Sequence, residues 1–455
     1  MFEFGRELRR LLAGEPPSGV FQDGLAGGDP ALLELLDLRL LTNEARSADI
    51  AGGRIGSRDR PAGLLQAAIT WRELARRSGD ATALRKAASA AEAATRAFKD
   101  IHRQGGVARA RAEQGLCALL GADLFGDEGL TAAAERVLTE AAASSGVGAA
   151  MASAALAGMR GRSAAVHGDA EAVSAAAAAF EAPLAALSAS SRASGAARLA
   201  LSEYRTVRAD MLVLAGARLR DRDLVEHGVR EAHAALDGLD AAYEPLSYAR
   251  AAAACGVAQA ALAEVTGDVE PAADGVDALA AAVEHASRDH SPMDWATIQT
   301  QLGHALLTLG EATDSPRAFE QAVTCFERAG AVLKDQSALA LRARVAAGRA
   351  QALGRQAELT GDIAVLDVAV AALKTELCAM RPAADPVAWA VTQLNLARLY
   401  EVRVEITGRD DHGALASAAT ALAAAFDVFA EQGMRTLTDL AHQGLERLRV
   451  KSGVA

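Results

Sequence analysis

The feature that most limits what this chain can fold into is a Gly-Asp turn signal that returns along most of its length. It stands at Gly79-Asp80, Gly126-Asp127, Gly168-Asp169, Gly267-Asp268 and Gly361-Asp362, with Gly408-Arg409-Asp410 as a stretched copy. Glycine takes the left-handed conformation that ends one helix, and the aspartate side chain caps the next. With Asp221 and Asp314 filling the gaps, the series Asp80, Asp127, Asp169, Asp221, Asp268, Asp314, Asp362, Asp410 has spacings of 47, 42, 52, 47, 46, 48 and 48 residues. Even punctuation of this kind predicts helix-turn-helix units stacked on one another, each burying its apolar stripe against its neighbours.

A second marker repeats independently in the C-terminal half as Pro245-x-x-Tyr248-Ala249, Pro292-x-x-Trp295-Ala296 and Pro386-x-x-Trp389-Ala390. Tyr248 to Trp295 is 47 residues and Trp295 to Trp389 is 94, twice that interval. Gln299 matches Gln393 and Leu302 matches Leu396 at the same 94, so a helix reading W-A-x-x-Q-x-x-L is repeated. Proline suits its first turn, where no N–H is needed. Composition agrees with helix throughout: alanine fills about a quarter of the positions and aromatics only 4%, whereas strands call for β-branched and aromatic alternation.

The expected fold is therefore all-α, an α-solenoid of about eight antiparallel helix pairs. The expected divisions are 1–30, a short amphipathic helix (Met1 to Leu12) and flexible linker; 31–60, an N-terminal helix and loop; 61–433, the repeat array; and 434–455, a capping helix and tail. Asp29 and Pro30 are expected to start the helix that runs to about Ile50.

On these residues the chain resembles the tetratricopeptide-repeat superfamily, in a long-unit bacterial variety. Pro292 to Gly310 and Pro386 to Gly408 carry the likeness; it is clear over 245–432 and rests on turn spacing over 61–244. The units depart from the 34 residues of ordinary tetratricopeptide repeats, and Ala397 stands where the earlier copy has Gly303. The resemblance implies a right-handed superhelix whose first helices line a groove for a peptide or partner protein. Polar residues of first helices are the candidates for that groove: Arg205, Arg208, Gln299, Gln301, His304, Gln393, Asn395 and Arg398. Arg205 and Arg208 share a helix face and could take a carboxylate, whereas Gln393 and Asn395 diverge by about 200°.

The formal net charge is −11, with Arg and Lys interspersed among acids, so no basic stripe for nucleic acid stands out. Arginine predominates over five lysines, which fits a GC-rich genome. Cys117, Cys255, Cys325 and Cys378 stand singly, as in a reducing compartment. The N-terminus lacks the order of a signal peptide, and no strongly apolar stretch of 18 residues is read. The expected place is the cytoplasm, without a membrane role.

Chemistry is scarce in the text. His227 and His233 are six apart and His285 and His290 five apart, so neither pair shares a helix face for a metal. Gly52-Gly53-Arg54-Ile55-Gly56 lacks the strand before and the Lys-Ser/Thr after that a phosphate loop needs. No nucleophile elbow occurs, and Asp410-Asp411 sit at a turn. The sequence thus points to a non-catalytic binding scaffold without cofactor. An all-α enzyme or enzyme-regulating module with a groove-built site, and a self-assembling homo-oligomer, are the alternatives left open.

Overall fold

The computed structural model describes residues 30–54, 60–333, 338–380, 382, 386–410 and 413–452, so the expected Met1–Leu12 helix, the connector after it, the Asp29 cap, Gly56 and Asp411 lie outside the described residues. Among the described residues there are nineteen α-helices and no strand. After a 3-10 turn, Pro30–Leu35, the helices are α1 (Leu38–Gly53), α2 (Arg60–Ser78), α3 (Ala81–Asp100), α4 (Gln104–Phe125), α5 (Glu128–Ala142), α6 (Val147–His167), α7 (Ala170–Ala178), α8 (Glu181–Ser190), α9 (Gly195–Leu219), α10 (Arg222–Leu236), α11 (Pro245–Thr266) and α12 (Val269–His285). They continue as α13 (Pro292–Thr313), α14 (Pro316–Gly330), α15 (Leu339–Thr360), α16 (Ile363–Ala379), α17 (Pro386–Thr407), α18 (Ala414–Glu431) and α19 (Arg435–Ser452). The chain divides into two compact units, Met1–Gln301 with Lys334–Ala338, and Leu302–Leu333 with Leu339–Ala455.

In the first unit the hairpins are α2/α3, α4/α5, α6 with the broken pair α7 and α8, α9/α10 and α11/α12, and each first helix also touches the next first helix. In the second unit α15/α16 and α17/α18 form hairpins, α15 packs on α17, and α19 closes against α18. This is the stacking that the repeat markers require: within each unit these successive pairs are neighbours in space.

The turns form mostly as the sequence dictates. Asp80, Asp127, Asp169, Asp221 and Asp362 each accept a main-chain N–H of the following helix's first turn, and Gly79, Gly126, Gly267, Gly361 and Gly408 have positive φ. Two sites exchange roles. Asp314 itself takes the left-handed conformation, φ 49°, and Ser315 caps α14. Gly168 is extended, and its lack of a side chain matters because a Cβ there would lie 2.7 Å from the Ala164 carbonyl oxygen. The helix expected from Pro30 is instead a 3-10 turn followed by α1, because Asp37 accepts from the Leu40 N–H and caps there.

First helices are hemmed in on several sides, which explains their small residues. Gly256, Gly303, Ala350 and Ala397 lie 47 residues apart, as do Leu279, Phe326 and Leu373 of the second helices. All three large side chains are fully buried. A Cβ on Gly256 would come within 2.6 Å of Leu279, and one on Gly303 within 2.7 Å of the Phe326 ring. Close approach of paired helices thus rests on a small residue facing a large one.

The reading that no 18-residue apolar stretch exists needs correction, since Ala170–Ser190 and Ala414–Glu431 both reach a mean hydropathy of 1.4 over such a window. The first is interrupted by the turn between α7 and α8. Phe180, Leu184 and Leu187 in one and Leu422 and Phe429 in the other are buried in repeat cores, and Leu415, Phe426 and Val428 are partly buried against the second. The faces they leave outside are mostly alanine.

Filling the seam should be costly. Gly303→Val should lower unfolding free energy by roughly 1–3 kcal/mol, read from chemical denaturation; an unchanged midpoint would show that Phe326 yields freely.

Candidate functional site

A concavity of about 140 Å³ in the first unit is lined by first helices of its hairpins and by the 3-10 turn. Its walls include Ile69, Arg72, Glu73 and Arg76 of α2, Arg109 of α4, Met151 of α6, Leu199, Ser202, Glu203, Thr206 and Val207 of α9, and Ser247 and Arg250 of α11. Helices from the beginning and end of the unit meet here because the 3-10 turn touches α2, α9 and α11 together.

That turn is held like a bound peptide. Arg77, with no exposed surface, donates from Nη1 to the Leu36 carbonyl and from Nη2 to the Leu33 carbonyl, both at 2.8 Å, while its Nε donates to Glu73 at 2.7 Å. Arg76 shares the same Glu73 carboxylate at 2.6 Å. The Glu34 carboxylate accepts from the Leu246 and Ser247 N–H groups, each at 2.9 Å, and from the Ser247 hydroxyl. It therefore caps α11, whose own N-cap residue, Glu244, makes no side-chain capping bond. Leu33 and Leu36 flank it, 1% and 2% exposed.

Ion pairs between successive first helices brace the walls. Arg72 pairs with Glu113 of α4, and Arg250 forms a two-pronged bond to Asp294 of α13, at 2.8 and 2.6 Å. Arg109 lies 3.7 Å from Glu113 and otherwise meets the Met151 sulfur. Burial would raise the pKa of Glu73, but the guanidiniums of Arg76 and Arg77 outweigh it and hold that carboxyl well below its ordinary value. Glu34 goes the other way: burial dominates and lifts its pKa despite Arg250 and Ser247.

Of the sequence candidates, none lines this concavity. Arg205 donates to the Ala234 carbonyl and Arg208 to Glu231 at 3.2 Å, both on α10. They do share a face, as expected, but it is the face turned to their own hairpin partner, with Arg205 about 200° and Arg208 about 140° around α9 from Glu203. The carboxylate that Arg208 meets is internal. Gln299 is buried and Gln301 half-buried, each with an Oε1 that has no hydrogen-bond partner among the described residues. In the second unit, His304 lies edge-on to Phe326, ring centroids 5.1 Å apart. Burial, helped by Arg344, lowers its pKa to about 4. It is a neutral packing residue there. Asn395 and Arg398 line a shallow recess of about 60 Å³ with Gln351, Arg355 and Glu358, where Arg398 pairs with Glu358 at 2.6 Å. Gln393, half-buried, is not among its walls.

Of the residues that the sequence reading passed over, Arg72 and Arg250 did leave a signal, whereas Arg77 and Glu34 left none. Arginines on first helices face acids about one repeat away: Arg72 and Glu113, Arg250 and Asp294, Arg355 and Glu311, Arg398 and Glu358 are 41, 44, 44 and 40 residues apart. Among the described residues no three His, Cys, Asp or Glu side chains converge as metal ligands.

No protein-family model matches the sequence, and no curated protein matches it. Among solved structures the chain is similar to a Rap protein complexed with Competence and Sporulation Factor, at 14% identity over 86% of this chain and 98% of that one, TM-score 0.45. It is also similar to a circular tandem repeat protein with novel repeat topology and enhanced subunit contact surfaces (16% identity, 97% and 96% covered, TM-score 0.24). Yeast Tom70 is a third (11% identity, 91% and 97% covered, TM-score 0.26). Likenesses this distant carry no argument about function.

Arg77 is the keystone of the site, and its loss should be disproportionate. Arg77→Met should cost roughly 3–5 kcal/mol in chemical denaturation, with Arg77→Lys recovering only part because one ammonium cannot reach Glu73 and two carbonyls together. Recovery to wild-type stability with lysine would refute the forked geometry. Glu73 gives a pH signature. Its folded pKa is depressed, so its contribution is complete above the ordinary value of 4.5 and is lost as pH falls through the folded one. Stability of Glu73→Gln should therefore fall less steeply than wild type as the pH is lowered below 4.5, as followed by urea titrations across that range.

Proposed function

We propose that the chain is a non-catalytic interaction scaffold whose first unit receives a polypeptide segment of a partner protein in the concavity of its first helices. One observation carries this reading: that face already binds polypeptide, recognising the main-chain carbonyls, a carboxylate and two leucines of residues 30–37. The pocket continues beside the bound turn, with room for further side chains.

Converging acids in a pocket would ordinarily favour the enzyme alternative. Here Glu73 is committed to two arginines and Glu34 to a helix N-terminus, while Glu203 is exposed at the rim. A paired or capping carboxylate is poorly placed to exchange protons with a substrate. The composition and the isolated cysteines support placing this scaffold in a bacterial cytoplasm.

A photo-cross-linking residue at Thr206, inside the concavity, should trap a discrete partner in extracts of the native cell, while the same residue at Arg222, on the outer helix α10, should not. Equal labelling from both positions, or none from Thr206, would overturn the proposal.

A further inference from the structure

The seating of residues 30–37 says what kind of segment the concavity selects. We propose, building on the reading above, that this segment is a resident pseudo-ligand, and that the partner presents the same chemistry, an apolar turn with leucines three apart around a glutamate, and displaces it.

Three features of the seat support this. Arg77 takes two main-chain carbonyls, a recognition that any polypeptide in the same turn satisfies. The first turn of α11 offers the Leu246 and Ser247 N–H groups and the Ser247 hydroxyl to a carboxylate that the helix does not supply itself. A helix N-terminus favours such an anion. Leu33 and Leu36 fill apolar sockets on either side of the glutamate. Nothing in this arrangement requires that the occupant be covalently joined to α1. The joining supplies a high effective concentration, which keeps the seat filled until a competitor of the same chemistry arrives in excess.

The open pocket adjoins the turn at Pro30, Leu33 and Glu34 and the seat at Ser247, which is where a competing segment first meets it; Arg77, Leu36 and Leu246 lie beyond its walls and become accessible as the resident turn leaves. Glu203 and Thr206 stand on that approach.

The test uses the full chain and a fluorescent peptide of sequence Pro-Ala-Leu-Leu-Glu-Leu-Leu-Asp, that of residues 30–37. In Glu34→Ala the resident turn loses its capping carboxylate while the seat keeps every donor. By anisotropy the peptide should bind this variant about tenfold more tightly than wild type, because the competent fraction rises, and a peptide with alanine in place of its glutamate should lose that gain. Absence of binding to a folded Glu34→Ala chain, or binding indifferent to the peptide's glutamate, overturns the proposal. Should that variant fail to fold, hydrogen exchange on the wild-type chain decides. The Leu246 and Ser247 amides should exchange faster than those of Ala67 and Ala68 in α2, and be slowed by excess peptide; exchange only through global unfolding overturns it. Cross-linking from Thr206 together with a turn that never opens would leave the scaffold reading standing and remove the pseudo-ligand alone.

Discussion

Everything in this fold depends on how closely a first helix can approach the helices around it. In the first unit α4, α6 and α9 each meet their own partner and the first helices before and after them, so most of their circumference is contact surface. Alanine and glycine are the residues that permit this where a large side chain of the second helix presses on them, as Leu279 does on Gly256 and Phe326 on Gly303. Burial per residue is modest for alanine. The array compensates by repetition: many small contacts at a common spacing stand in for one large core.

Such packing leaves the inner faces of the first helices as the place where polar groups can gather, and they gather as pairs. Arg72 with Glu113 and Arg250 with Asp294 join neighbouring hairpins at the level of the concavity. Partly buried charges of this kind add little net stability once desolvation is counted. What they do is fix register, since a hairpin displaced by one turn would strand a guanidinium against an apolar wall. The bound turn of residues 30–37 extends the same logic, with Arg77 bridging α2 to the chain that precedes α1.

How much of this was legible follows from the range of each interaction. Turns such as Gly79-Asp80 and Gly126-Asp127 are decided within a few residues, so the text discloses them. Where one local solution can replace another, the role stays legible and the residue does not, as with Asp314 taking the left-handed position and Ser315 the cap. The amphipathic reading of α9 found that Arg205 and Arg208 share a face. Periodicity alone cannot say whether that face meets the partner helix or the cavity, and it meets α10. The seat of the bound turn was out of reach altogether, because Glu34 and Leu246 are 212 residues apart and nothing between them marks their meeting. The one usable trace, an arginine and an acid separated by about one repeat on first helices, becomes a pattern only when the repeat length is already known.

The chemistry of the seat also limits what could replace its occupant. A purely apolar ligand would leave the Arg77 donors facing no carbonyl and the first N–H groups of α11 facing no acceptor, and each such buried donor left unpaired costs about 1–3 kcal/mol. A bare small anion would satisfy α11 but would forfeit the sockets of Leu33 and Leu36 and leave the carbonyl-seeking fork of Arg77 empty. A polypeptide turn carrying one carboxylate between leucines meets all three demands at once. Selectivity in this concavity is therefore set less by any single contact than by the requirement that main-chain, charged and apolar groups arrive on one short segment.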